Sequence, residues 1–148
     1  MSEHIINLKS NLDQETIFKI STDIENFHLV MPNYFESLQV IEKTKNELVV
    51  FEKIKFLGIK SSVKTKHLIT LPNIHEVFIL SGSLKGTHFF EQYDSLEDGS
   101  LITIKINLKL NGILKLVPSI NKFIFNKMVQ TTKEFIHSAE LYSINSNS

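Results

Sequence analysis

A chain of 148 residues, 42% of them hydrophobic, is the size of one domain and holds enough apolar side chain for one continuous core. Its 16 basic residues are all lysine and balance 16 acidic residues, so no net field draws it to nucleic acid, and the guanidinium best suited to phosphate and base-edge contacts is missing. The absence of cysteine excludes disulfides, thiol nucleophiles and thiolate metal sites, and no run of about 18 apolar residues is long enough to cross a bilayer.

The first twelve residues carry Glu3 and alternate polar with apolar side chains, unlike a signal peptide, so a cytoplasmic protein is expected. Residues 4–12 read as a strand with Ile6 and Leu8 on one face and Ile5 and Asn7 on the other. Asp13 is a suitable N-cap for a short helix that turns Ile17, Phe18 and Ile20 inward. Asp23 is a suitable cap for a second one holding Ile24, Phe27 and Val30. Pro32 limits that helix because it disfavours helical geometry at Met31.

Residues 35–110 then read as six strands parted by turn signals at Lys45-Asn46, Leu57-Gly58, Pro72-Asn73, Lys85-Gly86 and Asp98-Gly99. Two of them alternate cleanly. In 59–69, Lys60, Ser62, Lys64 and Lys66 oppose Val63, Thr65, His67 and Ile69; in 102–110, Thr103, Lys105, Asn107 and Lys109 oppose Ile102, Ile104, Ile106, Leu108 and Leu110. One sheet face is therefore wet and the other buried. After Gly112 the spacing of Ile113, Leu116, Val117, Ile120, Phe123, Ile124, Met128, Phe135, Ala139 and Tyr142 predicts one helix of about seven turns. Pro118 falls near its first turn, and Lys122, Lys127, Lys133 and Glu140 cover its outer side. Residues 145–148 are expected to fray, leaving a single domain over 1–144.

This order predicts an α+β fold, a curved antiparallel sheet of seven strands around a long C-terminal helix. A sheet so curved cannot seat flush on one helix, which leaves an apolar hollow roofed by the two early helices.

The stretch Gly82-Ser83-Leu84-Lys85-Gly86-Thr87-His88-Phe89-Phe90-Glu91, followed by Asp98-Gly99 and the alternation over 101–110, resembles the paired strands of START-like (SRPBCC) proteins of the polyketide cyclase and coenzyme Q-binding type. His88 stands where that group usually carries Trp. Asn26-Phe27 through Pro32-Asn33-Tyr34-Phe35 is similar to the family's helix exit before the second strand, and the resemblance in element order covers nearly the whole chain. It implies a helix-grip fold and the binding, transfer or occasional conversion of lipophilic molecules such as lipids, quinones and polyketides. It carries over no obligatory catalytic residue and no cofactor.

Among candidate site residues, His67 falls with the buried set and His88 with Phe90 and Gln92. Both histidines are expected at the hollow, where imidazole can orient a ligand carbonyl or hydroxyl or move a proton; ordinary hydrogen-bonded wall histidines are the alternative. Alternation with Val50, Ile54 and Phe56 turns Glu52 inward, and the opposite parity, with Val49 and Phe51 inward, leaves it in water; both stay open. Phe78, Phe90, Tyr93, Phe123 and Phe135, with Ile104, Ile106 and Met128, line the hollow or simply fill the core. His4, His28, His67, His75, His88 and His137 form no HExxH pair, so no metal site is expected. No Ser-His-Asp order or glycine-rich phosphate loop is present. Residues 113–129 are unusually apolar for a surface helix, which fits a core lid or a transient contact with a membrane or partner.

A noncatalytic carrier or sensor of a small apolar ligand is the leading expectation. A cyclase or dehydratase using the same hollow, and a protein-interaction module, are the alternatives.

Overall fold

The computed structural model describes residues 2–56 and 58–146. Strand β1 (Ser2–Ser10) turns Ile6 and Leu8 to the core and leaves Ile5 55% exposed, as its alternation requires. Helix α1 (Gln14–Thr22) starts at Asp13, whose Oδ1 accepts the Thr16 backbone N–H at 2.8 Å and whose Oδ2 accepts the Thr16 hydroxyl at 3.0 Å. These bonds hold the Asp13 carboxyl below its usual range. The helix buries Ile17 and Phe18.

A 3-10 turn at Ile24–Asn26 leads into the one-turn helix α2 (Phe27–Val30). Asp23 does not cap it in the expected way. The Asn26 backbone N–H is already given to the Asp23 carbonyl, so the Asp23 carboxylate accepts the Asn26 side-chain amide instead, at 2.8 Å. Pro32 acts as expected: Met31 is forced out of helical geometry (φ −141°, ψ 69°) and α2 stops at Val30.

Six strands follow: β2 (Phe35–Lys43), β3 (Glu47–Phe56), β4 (Ile59–Thr70), β5 (Ile74–Ile79), β6 (His88–Leu96) and β7 (Gly99–Leu108). They form a meander whose last strand pairs with β1, giving one seven-stranded antiparallel sheet in the order β1-β7-β6-β5-β4-β3-β2. The two-residue β6–β7 turn sets Leu96 opposite Gly99, and from there Tyr93, Glu91 and Phe89 fall opposite Ile102, Ile104 and Ile106. Gly99 suits this corner. Its φ is 151°, and a Cβ there would stand 2.1 Å from the Ser10 carbonyl oxygen.

The long helix begins later than its apolar stripe suggests. Gly112–Leu116 is a separate 3-10 turn, Pro118 holds Val117 extended (φ −93°, ψ 117°), Ser119 is left-handed (φ 61°), and α3 spans Ile120–Ser146. Ile113, Leu116 and Val117 therefore leave the stripe and stand 77%, 80% and 45% exposed. The 27 residues of α3, about 40 Å of helix, bury Ile124, Met128, Ile136 and Ala139. Glu140 also differs from expectation, since its Oε2 accepts the Ser10 hydroxyl and the Asn11 backbone N–H, each at 2.9 Å, and ties α3 to the end of β1. The helix runs through Asn145 and Ser146, two residues into the stretch expected to fray; Asn147 and Ser148 lie outside the described residues.

The core sits between this helix and the sheet. Ile102, Ile104, Ile106 and Leu108 of β7 pack with Ile17, Phe18, Ile124 and Met128, and each such buried side chain contributes about 1.5–3 kcal/mol. A smaller cluster gathers Ile24, Phe27, Leu48 and Val50, with Phe35 and Phe135 packed against it.

Candidate functional site

His67 on β4 and His75 on β5 lie on the sheet face that carries the β7 isoleucines, and they form the middle of a buried polar line. His67 Nδ1 is 3.0 Å from His75 Nε2. The rings are inclined by only 14°, with centroids 5.2 Å apart, too far for face-to-face stacking and right for an edge-to-edge hydrogen bond. His75 Nδ1 lies 2.8 Å from Glu91 Oε1, and the same oxygen accepts the Tyr93 hydroxyl at 2.7 Å. At the other end, His67 Nε2 is 3.1 Å from Thr65 Oγ1 and 3.3 Å from Glu52 Oε1. Glu52, His67, His75 and Tyr93 are all buried, so the parity of Glu52 is the inward one, with Val50 beside it fully buried and Phe51 on the outside at 42% exposure.

The line from Glu52 through both imidazoles to Glu91 contains three contacts, and at its Glu52 end the Thr65 hydroxyl, which can donate, shares His67 Nε2 with the carboxylate. Burial pushes the His67 imidazole down, against the bond and charge of Glu52, and the charge of His75 adds to the lowering. Burial alone would push the Glu91 carboxyl up, but the charge and hydrogen bond of His75, the bond from Tyr93 and the charge of His67 outweigh it and hold the carboxyl below its usual range. The Tyr93 phenol is pushed up by burial and then by the Glu91 charge. The array is linear, and no three His, Asp or Glu side chains converge as a metal site among the described residues.

A pH dependence follows. Because His67 is depressed in the folded state, the unfolded chain takes up its proton first as pH falls: stability is complete above the ordinary imidazole value of about 6.5 and is lost below it, at up to about 1.4 kcal/mol per unit, until the folded value is passed. Glu91, also depressed, adds a second loss that begins near the ordinary carboxylate value of about 4.3 and deepens as pH falls through its own lower folded value. Thermal unfolding followed from neutral to acid pH should show both limbs, and His67→Gln should remove the first and keep the second. A first limb unchanged in that variant would assign it to another group.

Beside α3 lies a recess of about 580 Å³, open to solvent. Met31, Asn33 and Tyr34 from the α2–β2 connection form one wall, Lys55, Phe56 and Gly58 at the β3–β4 turn a second, and α3 from Phe123 to Ser138 the third. A relay of rings separates it from the histidines. Tyr34 is 4.7 Å from Phe35, Phe35 is 5.0 Å from Phe27, Phe27 is 5.1 Å from Phe135, and Phe27 meets His67 edge-on at 6.3 Å. The phenol of Tyr34, which lines the recess, is pushed up by burial and by the charge of Glu52, so groove and array share an electrostatic link.

No family model matches this sequence, and comparison with curated proteins finds no match. Solved structures do match over nearly the whole chain. The protein TTHA0849 from Thermus thermophilus superimposes with a TM-score of 0.81 at 13% identity, covering 99% of this chain and 100% of its own. A START superfamily protein from Mycobacterium smegmatis gives 0.71 at 12% identity, covering 93% and 94% of the two chains. The chain has the helix-grip fold of START-like proteins. The Zhui aromatase/cyclase from Streptomyces sp. R1128 shares this helix grip with a TM-score of 0.74 at 10% identity, covering 94% of this chain and 93% of its own. At such identities the likeness concerns the fold. No helix among the described residues is long and apolar enough to cross a membrane.

Within the helix grip, the residues singled out from sequence divide into four groups. His67 and Glu52 meet in the array, Ile104, Ile106 and Met128 are core, and Phe123 lines the groove at 50% exposure. His88, Phe90 and Phe78 do not face the interior. The register pairs His88 with Asn107, Phe90 with Lys105 and Phe78 with Lys66, which sets all three on the convex face. There His88 stacks on Phe78 (centroids 4.5 Å apart, 18°), its Nε2 is 3.0 Å from Glu76 Oε1, and Lys66 Nζ stands 5.1 Å above the Phe78 ring. Lysine stems and stacked rings thus cover apolar area on this face. His75 and Glu91 are site residues that sequence reasoning missed. The signal was the turn marked by Asp98-Gly99: a two-residue loop, Glu97-Asp98, fixes which β6 residues share a face with Ile102, Ile104 and Ile106, and they are the odd-numbered ones.

Proposed function

We propose that this helix-grip protein binds a small lipophilic molecule, of lipid, quinone or polyketide-like character, in the groove between α3 and the β3–β4 turn. The observation that carries the reading is the recess of about 580 Å³ walled by Met31, Tyr34, Phe56 and Phe123, a volume in the usual range for small-molecule sites. Lys55, Lys127, Gln130 and His137 on its walls offer polar groups for one end of a ligand. Affinity then comes from area, at about 0.8 kcal/mol per buried methylene. Mass spectrometry of organics extracted from protein purified from several hosts tests this, alongside titration with a fluorescent lipophile. Phe123→Asp, at a half-exposed position, should keep the fold and weaken probe binding by about tenfold or more, the equivalent of some 1.4 kcal/mol. Empty protein from every host and no saturable probe uptake would end the proposal.

A second reading is favoured by the array: a cyclase- or dehydratase-type enzyme in which a buried histidine such as His67 moves a proton for a substrate that reaches past the rings of Phe27 and Phe35. His67→Gln separates the two. A carrier keeps its affinity, whereas an enzyme loses about two to four orders of magnitude in rate.

A further inference from the structure

From Gly99 to Lys133 the sequence holds Lys105, Lys109, Lys115, Lys122, Lys127 and Lys133 and no acidic residue; all 16 Asp and Glu lie elsewhere. A chain neutral overall is thus strongly polarised. The structure gathers four of these lysines about the 3-10 turn Gly112–Leu116 and the start of α3. Lys109 and Lys115 border a recess of about 360 Å³ with Leu114, Val117 and Ile120, Lys122 adjoins Phe123, and Lys127 Nζ stands 6.0 Å from the centre of the Phe123 ring. Among the described residues none of the four is in an ion pair. Inside this collar Ile113 and Leu116 project with 77% and 80% exposure, joined by Val117 and Phe123 at 45% and 50%.

We infer that this face docks on a bilayer surface bearing anionic phospholipid. Aliphatic side chains that project from a one-turn helix need a partner that yields around them, which an acyl layer does and a preformed protein surface does only with matching pockets. The lysine collar then lies at headgroup depth, where each cation is attracted to a negative leaflet. Left-handed residues Gly112 (φ 62°) and Ser119 (φ 61°) flank the turn, whose Leu114 packs against the core while Ile113 and Leu116 stay exposed. The inference does not depend on the groove's ligand, although Phe123 and Lys127 belong to both surfaces.

Sedimentation of the full chain with vesicles of phosphatidylcholine alone, or mixed with phosphatidylglycerol, tests it. The protein should pellet with the mixed vesicles and be released by salt. Ile113→Ser with Leu116→Ser, and separately Lys115→Glu with Lys122→Glu, should each weaken binding by about tenfold or more, whereas Lys9→Glu with Lys19→Glu, the same charge change on β1 and α1, should leave it within about twofold. All these side chains are exposed, so the fold should persist. Failure to pellet with mixed vesicles, or equal loss in the Lys9/Lys19 control, overturns the inference. So does a dimer in ultracentrifugation that the Ile113/Leu116 variant dissolves, which would assign the face to a second copy of the chain.

Discussion

Glu91→Ala should lower stability by about 3 kcal/mol, the lower end of the cost of breaking a buried pair, because 16% of that side chain still meets solvent. The loss comes from what stays behind. His75 and Tyr93 keep polar hydrogens that pointed at one carboxylate oxygen, and both are nearly sealed from water, at 2% and 4% exposure. For a chain of this length the melting temperature should fall by roughly 10 °C. Glu76→Ala removes the partner of a chemically similar pair on the convex face, but His88 is 26% exposed there and water can replace the carboxylate, so a cost of about 1 kcal/mol or less is expected. Thermal and urea unfolding of the two variants measure the contrast. Equal losses would mean that solvent reaches His75 and that the array is not closed.

Phe135→Ala should cost about 3 kcal/mol, the usual penalty for emptying a large aromatic site. Phe135 lies against Phe27 and Phe35 at 5.1 and 6.4 Å and packs against both apolar clusters, so its removal opens the wall between the groove and the face bearing His67. An apolar void of that kind takes up small apolar molecules. The variant should therefore melt earlier and accept a bulkier fluorescent lipophile than the parent does. Unchanged stability together with an unchanged size limit would place the barrier elsewhere.

How far these features could be read in advance varies with their physical origin. β7 was legible because one of its faces is buried along its whole length, and Asp13 because a cap acts through neighbours three residues away. Glu52 was undecidable within its own strand. Val49, Val50 and Glu52 are all buried, and only pairing with β4, which sets Glu52 opposite Val63 and beside His67, decides the matter. His88 was misplaced because a run of phenylalanines suggests an interior, whereas the turn length that settles its face lies ten residues further on. The start of α3 was misjudged because the apolar period runs unbroken across Pro118 and Ser119 while the backbone does not. His67, His75 and Glu91 come from three strands, and nothing short of the full sheet register brings them together.

The pairing of β1 with β7 has a consequence for biosynthesis. Ser2 lies opposite Leu108, so β1 leaves a ribosome long before its only neighbour in the sheet has been made. Closing so long a loop is entropically expensive and ties the speed of self-assembly to contacts remote in sequence, which predicts slower maturation than in a helical bundle of equal length and an interval in which an unpaired edge needs shielding from other nascent chains.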